Sequence, residues 1–293
     1  MLKFHNCLAH NCSDGNLLVG DEYTALFDCG MAFYAKETIR KIKDILGSRP
    51  LDYIFATHSH YDHIGALPFF REEWPQLKLA ASEIAAAALL KETPRRFIRE
   101  MSANAAKMLG MEFDSSYDDN LFYVDIIVKD KDTISLGSIN VEVLETPGHT
   151  RDSLSFFIPE QELFIVSETP GVLLPDGVVS PTYLTSCKDT INSIKRCKEI
   201  NYKYLSLPHK GLVSKTENGG FFDRALEATI LYRDFILKMN ADGYDEETML
   251  NSLVNKYYTG IRTSIQPREA FIVNARAAIA CTLRENKQSG FPD

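Results

Sequence analysis

No apolar run in this sequence is long enough to cross a bilayer. The longest, from Ile84 to Leu90, falls far short of the ~20 residues a membrane helix needs. No block of lysine and arginine is present either, and 32 basic against 40 acidic residues leave a net charge of −8. An acidic surface repels phosphate backbones, which argues against a nucleic-acid partner. Among six cysteines no pair has the C-x-x-C spacing: Cys7 and Cys12 lie close, while Cys29, Cys187, Cys197 and Cys281 are scattered. Thiolate zinc sites and thioredoxin-type chemistry are thereby disfavoured, and free, buried thiols in a reducing compartment are expected. A G-x-S-x-G elbow is missing too, so covalent catalysis by serine has no candidate. The opening residues, Met1 to Asn6, lack the apolar core of a secretory signal, which points to the cytoplasm. With only 16 glycines and 12 prolines, the chain is neither collagen-like nor disordered, and its 45% hydrophobic content supplies a sizeable core.

What is present alternates short β-like runs with helical ones up to about residue 215. Strands are expected over 16–20, 23–28, 53–56, 78–81, 123–128, 133–136, 139–145, 153–158, 163–166 and 204–207. Helices are expected over 35–46, 62–70, from 83 onward, over 94–116 and over 188–200. This order of elements implies a layered α/β or α+β domain over residues 1–215. After it the texture turns wholly helical. Residues 221–239, 245–258 with Asp245 as N-cap, and a third stretch opened by Gln266-Pro267 predict an all-α extension over 216–293.

Seven histidines are present, and five sit in segments built for chemistry. Thr57-His58-Ser59-His60-Tyr61-Asp62-His63 places three imidazoles and a carboxylate within six positions, directly after a buried strand. In extended backbone His58 and His60 point the same way and can grip one ion, and the turn that follows lets Asp62 and His63 address a second. Two further histidines share one setting, a strand, a proline, then a loop: Thr146-Pro147-Gly148-His149 and Leu207-Pro208-His209. All these donors are nitrogen and oxygen, which disfavours thiophilic ions and leaves zinc, iron and manganese open.

These segments, with Phe27-Asp28-Cys29-Gly30, resemble the metallo-β-lactamase superfamily over roughly residues 14–212, in the same order along the chain. The resemblance implies a four-layer αββα sandwich carrying two divalent transition-metal ions at its strand ends, zinc foremost. It assigns one ion to His58, His60 and His149, and the other to Asp62, His63 and His209. It also implies a bridging carboxylate after the strand at 163–166, normally an aspartate; this chain has Glu168 there. Asp28 would orient a ligating histidine or a metal-bound water.

By the same resemblance the expected chemistry is hydrolysis by metal-activated hydroxide, with Asp62 as ligand and proton acceptor. The substrate is a small molecule, and a thioester or related ester or lactone is the first expectation. The motif at 57–63 followed by Ala80-Ala81-Ser82-Glu83 and a helix is similar to thioesterase-like members that serve a quinolone-signal response. Phosphodiester hydrolysis and a catalytically weak metal-binding regulator are the alternatives. A di-iron redox protein is disfavoured by His60, where that group carries glutamate. The helical extension is expected to cover the site or form a homodimer interface. Tyr183, and beyond it Tyr257 or Tyr258, are candidates for the substrate pocket.

Overall fold

The computed structural model describes residues 4–7, 15–217 and 219–289. The first half lays down one sheet: β1 (Phe4–Asn6), β2 (Asn16–Val19), β3 (Thr24–Phe27), α1 (Ala35–Leu46), β4 (Tyr53–Phe55), α2 (Tyr61–Ile64), α3 (Leu67–Glu73), β5 (Lys78–Ala81), α4 (Glu83–Leu89), α5 (Glu92–Met108) and β6 (Ile126–Ile127). The second half builds another: β7 (Thr133–Ser135), β8 (Asn140–Glu145), β9 (Leu154–Ile158), β10 (Leu163–Ile165), the small ribbon β11 (Val172–Leu173) and β12 (Val179–Ser180), α6 (Cys187–Lys198), β13 (Tyr204–Leu207) and β14 (Gly211–Ser214). Four helices follow: α7 (Phe221–Ala241), α8 (Glu246–Tyr257), α9 (Arg262–Ile265) and α10 (Arg268–Ser289). The sheets run in order β1-β2-β3-β4-β5-β6 and β14-β13-β10-β9-β8-β7.

Why the layers form is visible in neighbouring residue pairs. Successive strand residues face opposite sides, and here both sides are apolar. Leu18, Phe27, Phe55 and Ala80 meet Val143, Phe156 and Ile165 between the two sheets. The residues beside them, Leu17, Leu26, Ile54 and Leu79, pack outward against Ile42 of α1, Ile64, Phe70 and Leu89. On the other sheet Leu144, Phe164 and Leu205 pack outward against Ile194 of α6 and Phe221 and Phe222 of α7. The result is the αββα sandwich, with a helical region after it. A fourth core joins Tyr183 and Cys187 to Tyr232, Ile236, Leu253, Phe271 and Ile279 of the last helices. Among the described residues no helix is long and apolar enough to cross a membrane. The five described cysteines are free and buried, and Cys12 lies outside the described residues.

Several boundaries differ from the sequence expectation, each for a local reason. The helix expected over 62–70 is two, because Pro68 in the first turn of α3 has no N–H to continue α2. Gly30 fills the gap by accepting the Ala66 N–H at 3.0 Å. The helix expected to reach residue 116 stops at Met108, where Gly110 turns left-handed at φ 66°. The strand expected over 123–128 shrinks to Ile126–Ile127, since the Asp125 carboxylate accepts the Leu79 N–H and Arg71 instead. The short strands β1, β11, β12 and β14 and the helix α9 are additions. Asp245 caps α8 as expected, its carboxylate accepting the Thr248 N–H at 2.8 Å.

Candidate metal centre

The parallel strands β3 and β4 end side by side at Asp28 and Thr57, and β8, β10 and β13 of the other sheet end facing them. The loops that leave these strands carry the polar residues. His58, His60 and His149 form one group, and Asp62, His63, Glu168 and His209 another; within each, the donor atoms all lie within 4.8 Å of one another. Every histidine and carboxylate that the sequence singled out as a metal donor is therefore in one of two adjacent clusters.

In the first cluster His60 Nδ1 stands 3.1 Å from His58 Nε2 and 3.1 Å from His149 Nε2. The far nitrogens of two of these rings are committed. His149 Nδ1–H donates to the Thr182 carbonyl at 2.6 Å. Thr57 Oγ1 donates its proton to Asp28 at 2.7 Å and is left to accept His58 Nδ1–H at 3.0 Å. Both Nε2 atoms therefore present lone pairs to the centre, where His60 can supply one proton at most. Burial, with His63, His60 and His149 close by, holds His58 well below the ordinary histidine range, and burial beside His149 takes His60 down to about 4. Neutral imidazoles with converging lone pairs fit a bound cation.

The second cluster is carboxylate-rich. His63 Nδ1–H donates to Asp28 Oδ2 at 2.9 Å, which turns its Nε2 towards Glu168 Oε1 at 3.1 Å and Asp62 Oδ2 at 3.7 Å. Burial pushes the His63 imidazolium down, but Asp28 and Asp62 outweigh it and hold the ring well above its usual value. Glu168 reaches both groups: Oε1 is 2.7 Å from His209 Nε2, and Oε2 is 3.3 Å from His149 Nε2. Burial raises this carboxyl, yet His149 and His209 pull it well below the usual carboxylate range. Three carboxylates around His63 make a pocket whose charge balance calls for a cation. Asp62 is the most accessible of them, with 17% of its side chain exposed.

Backbone geometry is spent on these positions. Asp28 and His209 adopt left-handed conformations at φ 56° and 57°, which is uncommon for residues other than glycine. Gly148 sits at φ 145° with its carbonyl accepting the Leu184, Thr185 and Ser186 N–H groups. An added Cβ there would lie 2.1 Å from Thr190 Oγ1, so only glycine lets the His149 loop dock on α6. Tyr183 is not in either cluster; its ring is buried and its hydroxyl pairs with Thr282 at 3.0 Å. Tyr257 and Tyr258 pack beside the core of the last helices.

Sequence reasoning missed four supporting residues. Thr57 bridges Asp28 to His58, and Thr182 fixes His149 and donates its hydroxyl to the Glu168 carbonyl. Asp152 accepts the Ser59 N–H at 2.9 Å, and Thr169 links the Thr146 carbonyl to the His149 N–H. Thr57 was the one within reach, being adjacent to the motif. The other three act across 14 to 93 positions and carry no local signature.

Comparison with known proteins places this geometry. Residues 16–209 match the metallo-β-lactamase superfamily model. The chain is similar to the probable metallo-hydrolase YqgX of Bacillus subtilis, 27% identical over 197 residues that cover 67% of this chain and 80% of YqgX. It is similar to the metallo-β-lactamase fold-containing protein ST1585 of Sulfurisphaera tokodaii, 27% identical over 212 residues, 68% of this chain and 72% of that one. The crystal structure of ST1585 superposes with a TM-score of 0.63, covering 95% of this chain and 98% of its own. A nitric oxide reductase of Moorella thermoacetica shares 28% identity over 155 residues, 53% of this chain but 33% of the reductase. Fold, donor order and family model agree: the chain belongs to the metallo-β-lactamase superfamily.

Proposed function

We propose that this chain hydrolyses an ester-type bond, a thioester foremost, at a two-metal centre. His58, His60 and His149 would hold one ion and Asp62, His63 and His209 the other, with Glu168 between them. The observation that best supports this is the span of Glu168, whose two oxygens face different clusters. Divalent ions there would supply hydroxide at neutral pH and polarise the bond under attack. The chain's own part is to hold that site fixed and to manage a proton. Asp28 and the Thr182 carbonyl lock the ring orientation of His63 and His149. Asp62 Oδ2 makes only long contacts, 3.7 and 3.8 Å, to His63 and His209, and its exposed edge can accept the proton of an attacking water.

A small, neutral or weakly charged substrate suits a protein of net charge −8 better than a polyanion. The likeness to thioesterase-like members rests on the sequence of the motif region and of Ala80-Ala81-Ser82-Glu83, where Ser82 caps α4 by accepting the Ala85 N–H. Against a redox reading inspired by the reductase relative, the first cluster holds three imidazoles and no carboxylate of its own. The test joins metal analysis of the purified protein to turnover of a simple acyl thioester and of a bis-aryl phosphodiester. We expect bound transition metal and thioester cleavage, both lost in His58→Ala and His149→Ala. A metal-loaded protein silent on both substrates counts against hydrolysis and for a regulatory role.

A further inference from the structure

Neither metal cluster draws a donor from α10 among the described residues, yet α10 holds the segment that orients one of the donors. That segment, residues 182–186, lies between β12 and α6 and belongs to no helix or strand, so its contacts fix its course. Its first residue serves the metal centre. The Thr182 carbonyl accepts His149 Nδ1–H at 2.6 Å, and the Thr182 hydroxyl donates to the Glu168 carbonyl. The N–H groups of Leu184, Thr185 and Ser186 converge on the Gly148 carbonyl at 3.1 to 3.3 Å, and the Thr185 hydroxyl joins them at 3.0 Å. These bonds tie the segment to the His149 loop, and a rigid body must hold the two of them in place.

One turn of α10 supplies such a body. The Tyr183 hydroxyl meets Thr282 Oγ1 at 3.0 Å, and Arg284 donates to the Thr185 carbonyl at 2.6 Å. Glu285 accepts the Ser186 hydroxyl at 2.5 Å on one oxygen and the Lys188 N–H at 3.1 Å on the other. As N-cap of α6 the Ser186 oxygen already accepts the Asp189 N–H at 3.0 Å, which leaves its proton for Glu285. A carboxylate there also stands at the positive end of the α6 dipole. The helix itself is well seated, with Phe271, Ala275, Ala278 and Ile279 in the fourth core.

We propose that α10 is a positioning element of the first metal site, with Tyr183, Thr282 and Glu285 as the positioning residues that set the His149 imidazole through Thr182. The inference rests on the two-metal reading and gives the helical region a duty in it beyond covering the sandwich. The bond between His149 and Thr182 tolerates little movement. A shift of the segment by about 1 Å would stretch it past hydrogen-bonding distance. The imidazole proton would then be free to move from Nδ1 to Nε2, the nitrogen that faces His60 and Glu168. A protonated Nε2 has no lone pair left for a metal.

The experiment compares the wild type with Glu285→Ala, Glu285→Gln and the double variant Tyr183→Phe/Thr282→Val. Chelator competition with zinc reads the affinity of each ion, and nitrogen-15 NMR of metal-free, histidine-labelled protein reads the His149 tautomer. The double variant removes both hydroxyls of a buried pair and keeps their shape, so its fold should persist. Glu285→Ala and the double variant should bind the first ion about tenfold more weakly, the low end of the roughly 10–100-fold range for losing a group that orients a ligand. Glu285→Gln, whose amide oxygen still accepts one donor, should lose less. The second ion should be held as in the wild type, because His63 is oriented by Asp28. At alkaline pH His149 should carry its proton on Nδ1 in the wild type and partly on Nε2 in Glu285→Ala and the double variant. If Glu285→Ala fails to fold, the double variant decides. If the wild type binds no metal, the two-metal reading fails, and the His149 signal still decides the role of α10. A lower melting temperature with first-ion affinity and His149 signal unchanged would make these contacts packing alone and overturn the proposal.

Discussion

Asp28→Asn separates what a buried carboxylate does from what its backbone does. Asparagine tolerates the left-handed φ of 56° as well as aspartate, so the turn after β3 should survive. Its Oδ1 can still accept the Thr57 N–H, now bonded at 2.7 Å. The trouble lies at the other oxygen, which accepts both the Thr57 hydroxyl at 2.7 Å and His63 Nδ1–H at 2.9 Å. An NH2 group in that place faces two donors. The hydroxyl can rotate, but the imidazole can only move its proton from Nδ1 to Nε2, the nitrogen that faces Glu168 and the second cluster. A protonated Nε2 cannot ligate. Losing one charge-assisted hydrogen bond costs about 1.5–3 kcal/mol. Losing the group that orients a ligand typically weakens metal affinity about 10–100-fold. We therefore expect Asp28→Asn to bind its second ion about 10–100-fold more weakly in a chelator competition. The first ion should be held as in the wild type, because Thr57 Oγ1 can still accept from His58. Two ions bound with unchanged affinities would refute the argument, since the tautomer of His63 would then be independent of Asp28.

Three further outcomes follow from the same geometry. Gly148→Ala drives a methyl to 2.1 Å from Thr190 Oγ1 and 2.7 Å from its Cα; melting temperature and metal content should both fall, at a cost of about 1–3 kcal/mol or more. A variant with wild-type melting and metal would show that the loop re-forms elsewhere. Glu168→Ala should cut second-ion occupancy far more than first-ion occupancy, whereas Glu168→Asp should keep metal and activity; unchanged stoichiometry in the alanine variant would remove Glu168 from the site. Deleting residues 216–293 uncovers Leu144, Phe164 and Leu205, and each phenylalanine lost from α7 had contributed about 1.5–3 kcal/mol of burial. The truncated chain should aggregate, and a soluble form with unchanged kinetics would mark the helices as an independent appendage.

Elements with strong local patterns were legible from the sequence. The helix at 35–46 and the strands at 78–81 and 204–207 lie where their apolar spacing puts them. Fully buried strands also read clearly, because both faces are apolar, as in Leu163–Ile165. What escaped depends on partners rather than on pattern. β1 and β14 are edge strands of three and four residues, defined by pairing with β2 and β13. The ribbon of β11 and β12 is two residues on each side and has no periodicity to show. The break between α4 and α5 falls inside an alanine- and leucine-rich run whose propensity favours an unbroken helix.

The candidate site divides along the same line, and the division has a physical cause. Donors inside one short motif are legible because a strand end and one turn place them together whatever the rest of the chain does. His149 and His209 were suggested by their shared setting of strand, proline and loop, whereas Glu168 and the division of the donors between two ions needed the superfamily's order of motifs. Residues that hold donors in orientation leave no pattern: Thr182 acts on His149 across 33 positions through a backbone carbonyl, an atom every residue possesses. The strained positions supply a second kind of signal. At φ near +57° a non-glycine residue costs about 1–2 kcal/mol, and replacement by glycine would relieve it. Asp28 and His209 keep their side chains there regardless, and both side chains face the second cluster. Strain retained where glycine would relax it marks positions at which the side chain is worth more than the backbone it burdens.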